Sequence, residues 1–205
     1  MPKQTPWSKL RAGNRRWVQE RSTAGAARGA ARRAKLSTSQ APFALVLGCS
    51  DSRLPAEIVF DQGLGDLFVV RTAGHVLDTA VLGSIEYAVA VLGVPLIVVL
   101  GHTGCGAVAA ATGIVDGAPV PPGHIRDIAG HIAPNVLRAR AAGAETATEI
   151  SGHHSALTAD LLRERSALVD AAVREGRLEI VPAQYDLCTG TVAEVSAQPT
   201  AAAAA

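Results

Sequence analysis

The sequence predicts an α/β fold: a single domain with a central, mostly parallel sheet of four to five strands, flanked by helices and preceded by an N-terminal helical arm. Three observations predict it. Short apolar runs without alternation are typical of strands buried on both faces, segments with helical period separate successive runs, and 205 residues suffice for one such domain. We expect the arm to span residues 1–40, the domain residues 41–195 and a disordered tail residues 196–205.

The arm begins with a predicted amphipathic helix between Pro6 and Arg21. Its apolar residues recur near helical spacing: Trp7, Leu10, Trp17 and Val18. Residues 22–40 are rich in Ala, Gly, Arg and Ser, which indicates a helix followed by a linker. We expect this arm to pack on a partner subunit.

The charge of the chain is concentrated in the arm. Net charge is +1 overall, but residues 1–35 hold ten Lys or Arg against one Glu. A basic segment can indicate nucleic-acid binding. Here Ala and Gly separate the arginines between Ala24 and Lys35, and no aromatic platform accompanies them. We therefore expect no nucleic-acid partner.

Strands and helices alternate over residues 43–100. The predicted strands are Phe43–Leu47, Leu67–Arg71 and Leu96–Leu100. A helix begins near Pro55, which suits a first helical turn, and a second spans Thr79–Leu92. This alternation is typical of a parallel sheet with right-handed crossovers.

The C-terminal half continues the pattern with longer helices. The small, Ala-rich segment Gly104–Thr112 predicts a helix that packs closely on the sheet. Further helices are predicted over Ile125–Arg140 and Ser155–Glu175, followed by a last strand, Leu178–Val181. Residues Tyr185–Val192 are predicted to form an edge hairpin or a tail.

Two of the predicted strands end in ligands for soft metals. Cys49 follows the first strand, and His102 and Cys105 follow the third. If these strands are parallel neighbours, the three side chains meet at the carboxyl edge of the sheet. For one residue alone, a buried free cysteine or a core histidine is the simpler interpretation. Three at matched strand ends favour zinc, with the fourth position open to water as in a catalytic site.

The third cysteine, Cys188, has no second ligand beside it and no strand-end setting, so we do not expect it to bind the metal. Three cysteines do not indicate the disulfide framework of a secreted protein. The sequence shows neither a signal-like opening segment nor an apolar run of membrane-spanning length. We expect a cytoplasmic protein without a membrane partner.

Asp51 and Arg53 lie directly after the first ligand. The guanidinium of Arg53 can hold a carboxylate through two hydrogen bonds. A clamped Asp51 would stay ionised and accept a hydrogen bond from water or hydroxide on the metal. It could equally be a surface carboxylate or the fourth ligand itself.

The run Cys49-Ser50-Asp51-Ser52-Arg53, followed some fifty residues later by Gly-His-x-x-Cys-Gly, resembles the β-class carbonic anhydrases of bacterial type. The resemblance is close over residues 35–112. It implies Zn²⁺ on Cys49, His102 and Cys105, and reversible hydration of carbon dioxide to bicarbonate and a proton by attack of zinc-bound hydroxide. It also implies catalytic roles for Asp51 and Arg53, and a closed state in which Asp51 binds zinc.

The resemblance further implies a pocket for carbon dioxide or bicarbonate. At the family's pocket positions this chain has Gln40, Phe68 and Tyr87. In the family such pockets lie at a dimer interface, which implies a homodimer or homotetramer here. Plain core packing is the alternative for the two aromatic residues.

The sequence departs from some bacterial members at Val46, where they carry a tryptophan that forms a non-catalytic bicarbonate site with an arginine and a tyrosine. Arg71 and Tyr185 match the latter two, but Val46 predicts that this site is absent. Five histidines are candidates for relaying the proton, and we expect each in a loop or on the surface: His75, His124, His131, His153 and His154.

Two other functions are compatible with the pattern. The same scaffold and zinc could hydrolyse carbon disulfide or carbonyl sulfide. A zinc-stabilised interaction module with a basic arm would need no catalytic groups. Gln40, Asp51 and Arg53 argue against that module, because a structural site has no use for an arginine-clamped carboxylate beside an open metal position.

Overall fold

A five-stranded sheet forms the centre of the structure, a computed structural model that describes residues 4–196. The strands are β1 (Ala44–Cys49), β2 (Leu67–Thr72), β3 (Leu96–His102), β4 (Glu179–Tyr185) and β5 (Val192–Glu194). They lie in the order β2-β1-β3-β4-β5, with β5 antiparallel to β4 and all other pairs parallel. The predicted α/β fold with a mostly parallel sheet is confirmed. Residues 197–205 of the predicted tail lie outside the described residues.

Helices cover both faces of the sheet. They are α1 (Pro6–Val18), α2 (Ala30–Lys35), α3 (Ala56–Val59), α4 (Thr79–Ala90), α5 (Gly106–Val115), α6 (Ile125–Ala141), α7 (Ala147–Arg165) and α8 (Ala167–Arg174). Residues of α1, α3, α5 and α6 pack on one face, and residues of α4, α8 and the second half of α7 on the other. No helix within residues 4–196 is both long and apolar enough to cross a membrane.

The two central strands, β1 and β3, are buried along their whole length. Successive residues point to opposite faces, so Val46 and Val98 enter one core cluster while Leu47 and Val99 enter the other. Because both faces need apolar side chains, these strands read as continuous apolar runs without alternation. This burial fixes the position of the strand ends that carry the predicted ligands.

The prediction of one helix over Ser155–Glu175 is wrong at its start and in its continuity, because two helices, α7 and α8, cover this range. Helix α7 begins eight residues earlier, where Thr146 and Glu149 form a capping box. It ends at Arg165, because Ser166 adopts an extended conformation and its hydroxyl accepts the Val169 N–H at 3.2 Å as the cap of α8.

Helix α1 packs one face against its own domain. The rings of Trp7 and Phe60 meet edge to face at 6.4 Å, and Leu10 is fully buried. Trp17 and Val18, at the end of the helix, stay partly exposed. Packing of the arm on a partner subunit remains a prediction for this outer part.

Asp61 anchors the chain that follows α1. Its carboxylate accepts hydrogen bonds from Arg16 Nε at 2.5 Å, Ser22 Oγ at 2.6 Å and the backbone N–H groups of Thr23 and Ala24. Burial alone would raise the pKa of this carboxyl, but the bonds from Ser22 and Arg16 and the two N–H groups hold the pKa well below its usual range. The ionised form is therefore built into the fold.

We expect Asp61→Asn to lower the free energy of unfolding by about 2 kcal/mol or more at pH 7, because the amide turns an N–H toward buried donors. The folded pKa of Asp61 lies below the unfolded value of about 3.9. The stabilisation is therefore complete well above that value and is lost as pH falls through it toward the folded pKa. Urea unfolding at several pH values measures this.

Asp116→Asn is the matched control, because Asp116 also pairs with an arginine, Arg140, but at the surface. Its effect should be smaller and should fall with added salt. Equal losses in the two variants would contradict the anchoring role of Asp61.

Candidate metal centre

The register of the sheet brings the three predicted ligands together. Gly48 of β1 lies beside Leu100 of β3, so the two strands end at the same edge. Cys49 and His102 are their last residues, and Cys105 is the N-cap of α5. All three are buried, and their ligand atoms lie within 4.8 Å of one another.

The hydrogen bonding of His102 leaves its Nε2 atom available for a metal. Nδ1 lies 2.9 Å from the carbonyl oxygen of Thr103, which only accepts, so Nδ1 carries the proton. The lone pair of Nε2 then faces the two sulfurs, and within residues 4–196 this buried atom has no hydrogen-bond partner. A buried acceptor left without a partner costs about 1–3 kcal/mol. A metal ion would use this lone pair, so the residues fit one.

The two sulfurs are close enough to share a proton. The hydrogen bond from Cys105 is the main reason why the pKa of Cys49 lies well below its ordinary value, against the opposing effect of burial, and the same bond raises the pKa of Cys105. The Gly74 N–H also donates to Cys49 Sγ at 3.3 Å. Thiolate is the form that binds metal. Two sulfurs and one imidazole are a ligand set typical of zinc sites.

Asp51 is held by Arg53 beside this group. Arg53 donates from Nε at 2.9 Å and from Nη2 at 2.6 Å to the two carboxylate oxygens, and its backbone N–H adds a third bond. The guanidinium holds the pKa of Asp51 well below its usual range. Oδ2 of Asp51 lies 3.9 Å from His102 Nε2, so an ionised carboxylate faces the ligand group.

Arg71 fixes the backbone that carries the first ligand. From β2 it donates through Nε to the Cys49 carbonyl at 2.9 Å and through Nη2 to the Asp51 carbonyl at 2.6 Å. In the sequence, Arg71 stood out only because it matches the arginine of a non-catalytic bicarbonate site in some bacterial members. Its position at the end of the strand beside β1 could have indicated the contacts it makes with the β1 backbone.

The structure also places Val46 and Tyr185, the other two residues that the sequence compared with the non-catalytic bicarbonate site of some bacterial members. Val46 is fully buried in the core. The hydroxyl of Tyr185 accepts a hydrogen bond from Trp17 Nε1 at 3.3 Å. The absence of the bicarbonate site stays a prediction.

The end of β3 is pinned from a neighbouring helix and strand. Ser151 of α7 donates to the His102 carbonyl at 2.9 Å, and the Thr103 N–H donates to the Tyr185 carbonyl at 3.0 Å. Sequence reasoning missed Ser151, because a serine inside a helix gives no sign of a contact with a strand far away in the chain.

Gln40, Phe68 and Tyr87 do not lie beside the ligand group of their own chain. Gln40 is exposed and precedes the amino end of β1, whereas Cys49 lies at the other end, roughly 17 Å along the strand. Phe68 and Tyr87 contact each other with ring centroids 6.3 Å apart, and Tyr87 is 46% exposed. Phe68 pairs with Leu45, four residues before Cys49. Their substrate-binding roles stay predictions.

Two of the five candidate relay histidines are buried, His75 at 0% and His154 at 2% exposure, with ring centroids 4.4 Å apart. The expectation of a loop or surface position is wrong for His154, because α7 begins earlier than predicted and includes it on its buried side. His75 lies in the turn after β2, as expected of a loop residue, but is covered by the core. His124 and His131 are exposed and His153 is half-buried.

An open parallel sheet with a Cys-His-Cys group and a clamped carboxylate at its carboxyl edge defines a class of metal-binding α/β proteins with an enzyme-like site. Comparison with known proteins narrows the class. A family model described as carbonic anhydrase matches residues 44–192. The chain belongs to the carbonic anhydrase family, in its β class, which confirms the resemblance seen in the sequence.

Two mycobacterial relatives match over nearly the whole chain. It is 48% identical over 195 residues to the carbonic anhydrase of Mycolicibacterium smegmatis, covering 94% of each chain. It is 47% identical over 193 residues to carbonic anhydrase 2 of Mycobacterium tuberculosis, covering 93% of each. A solved tetrameric β-carbonic anhydrase of Sordaria macrospora superposes with a TM-score of 0.72 at 26% identity, over 89% of this chain and 93% of that one.

Proposed function

We propose that this chain catalyses the reversible hydration of carbon dioxide to bicarbonate and a proton, with zinc held by Cys49, His102 and Cys105. The observation that carries the proposal is the buried Nε2 of His102, which faces two sulfurs and has no hydrogen-bond partner within residues 4–196. Carbon dioxide is proposed as the substrate because the chain belongs to the carbonic anhydrase family. A cytoplasmic location is part of the same proposal.

The residues around the group divide the work. When bound, zinc supplies the Lewis acidity that makes water a nucleophile at neutral pH. Oδ2 of Asp51 accepts a hydrogen bond from the attacking water and so directs its lone pair toward carbon dioxide. Arg53 keeps Asp51 ionised and in place. The burial of the three ligands keeps bulk water from competing for the site.

Removing a ligand should abolish zinc binding. We expect one zinc per chain in the wild type, and almost none in Cys49→Ala or His102→Ala, because two ligands do not complete a zinc site. Metal analysis of purified, dialysed protein measures this. Cys188→Ala is the control, since Cys188 is exposed and lies outside the group. Loss of zinc in that control, or its retention in His102→Ala, would contradict the ligand assignment.

Asp51→Asn should lower kcat/KM for carbon dioxide hydration by about 100-fold or more, because the shape stays but the acceptor charge that orients the water is lost. Stopped-flow hydration on zinc-quantified protein between about pH 6.5 and 9 tests this. Asp116→Asn, a surface carboxylate also paired with an arginine, should leave the rate unchanged. If zinc-loaded wild type shows no hydration, sulfur analogues of carbon dioxide become the substrates to test.

The low pKa of Asp51 determines how we expect Arg53→Ala to change the rate and its dependence on pH. With the pair intact, the carboxylate loses its charge only far below neutral pH. Without Arg53, the pKa of Asp51 would return toward about 3.9, which is still below the assay range. Arg53→Ala should therefore lower the rate by misplacing Asp51 without shifting the pH profile. A shift of the profile would contradict this role.

The chain is further proposed to act as a homo-oligomer, a dimer or tetramer in which the pocket is shared. Support comes from the positions of Gln40, Phe68 and Tyr87, which lie away from their own ligand group and so suit the site of a second copy. The Sordaria macrospora relatives are described as tetrameric.

Mixing two inactive variants tests the shared pocket. Gln40→Ala and Asp51→Ala chains, each of low activity alone, should recover about a quarter of the wild-type rate when co-refolded. Half of randomly formed pairs are mixed, and each mixed pair has one intact site if Gln40 serves the opposite chain. No recovery would place Gln40 in the site of its own chain. Full activity of Gln40→Ala alone would remove it from the pocket.

A further inference from the structure

The backbone N–H of Gly74 contacts the sulfur of Cys49, and residues of two helices, α7 and α6, form a chain of hydrogen bonds that ends at Gly74. Gly74 donates its N–H to Cys49 Sγ at 3.3 Å and has a φ of +64°. A Cβ at this position would lie 2.5 Å from the Ile132 side chain and 2.9 Å from that of Ala107. Only glycine lets the turn approach this closely.

The next link is a hydrogen bond from α7. Nε2 of His154 lies 2.8 Å from the carbonyl oxygen of Gly74. The carbonyl only accepts, so Nε2 carries the proton and donates. His154 is thus hydrogen-bonded to the same residue whose N–H donates to the sulfur of Cys49.

Asn135 of α6 bonds the other ring nitrogen of His154 and holds the ring in place. Its side-chain nitrogen lies 2.9 Å from His154 Nδ1. Burial lowers the pKa of His154, so the ring is neutral and Nδ1 is an acceptor once Nε2 is protonated. Asn135 therefore donates to His154, and His154 donates to Gly74. Each hydrogen bond thus points from α6 through α7 toward the turn.

The turn must be restrained, because His75 holds a left-handed backbone conformation that is costly for a residue other than glycine. Gly74 and His75 both have positive φ, +64° and +43°. A non-glycine residue in this region costs about 1–3 kcal/mol and persists only where its surroundings impose it. The ring of His154 packs on that of His75, with centroids 4.4 Å apart and planes tilted by 31°, and its Nε2 bonds Gly74, so one side chain restrains both residues.

We propose that His154, oriented by Asn135, is a positioning residue that holds the Gly74 N–H on the Cys49 thiolate. The hydrogen bond draws charge from the sulfur and fixes the direction of its lone pairs, which sets how firmly the site holds zinc. Partners of this kind, one step removed from the metal, change metal affinity by about 10- to 100-fold. This inference rests on the zinc site of the proposed function.

Three substitutions in α7 test it: His154→Ala, His154→Gln and Ser155→Ala. His154→Ala removes the bond to Gly74. His154→Gln returns an amide N–H near the position of Nε2. Ser155→Ala is the matched control, because Ser155 is equally buried on the same helix but donates only to the Ser151 carbonyl at 3.2 Å.

The zinc dissociation constant, measured by competition between the holoenzyme and a chromophoric chelator, is the first readout. We expect it to rise about 10- to 100-fold in His154→Ala, to recover in part in His154→Gln, and to stay within about threefold of wild type in Ser155→Ala. The second readout is the sulfur-to-metal absorption of the cobalt-substituted protein. It should move to longer wavelength in His154→Ala, because a sulfur that has lost its N–H donor gives up electrons more readily.

Wild-type zinc affinity in His154→Ala, or equal losses in His154→Ala and Ser155→Ala, would overturn the proposal. Either result would leave the proposed function intact if the wild type binds zinc and hydrates carbon dioxide. A wild type that binds no zinc would overturn both.

Discussion

The site depends on one constraint, the parallel pairing of β1 and β3 in the middle of the sheet. Both strands are buried on both faces, so their register is fixed by the core on each side. That register ends the two strands together and leaves Cys49 and His102 at the same edge of the sheet, with Cys105 three residues after His102. A slip of one residue would turn each side chain to the opposite face and separate the ligands.

Around this pair, the polar groups are held mainly through backbone atoms. Arg71 bonds the carbonyls of Cys49 and Asp51, Ser151 bonds that of His102, and His154 bonds that of Gly74. Each contact satisfies a carbonyl group at the point where the chain leaves regular structure. The same bonds restrict the loops on which the functional side chains sit, which is how a site on loops gains the rigidity of the sheet.

Much of this could be predicted from the sequence, for a physical reason. The strands are short apolar runs that no other element explains, and the ligands follow their ends directly, so Cys49, His102 and Cys105 were found together. The pairing of Arg53 with Asp51 could also be predicted, because the two residues are two positions apart. The role of His154 could not be predicted, since it depends on which face of α7 packs against the core. His154 also lay outside the predicted helix, which begins eight residues earlier than expected. The role proposed for Gln40 is in the site of a second chain, and a contact between chains leaves no periodic signal in the sequence.

Two sulfurs and one imidazole are proposed to hold zinc at this edge of the sheet, with one position left for a light-atom ligand. X-ray absorption fine structure at the zinc edge of the zinc-loaded protein measures these neighbours. We expect two sulfur neighbours at about 2.3 Å, and nitrogen or oxygen neighbours at about 2.0–2.1 Å. Three sulfur neighbours at about 2.3 Å would contradict the open site, because Cys188 would then complete the coordination and the site would be structural.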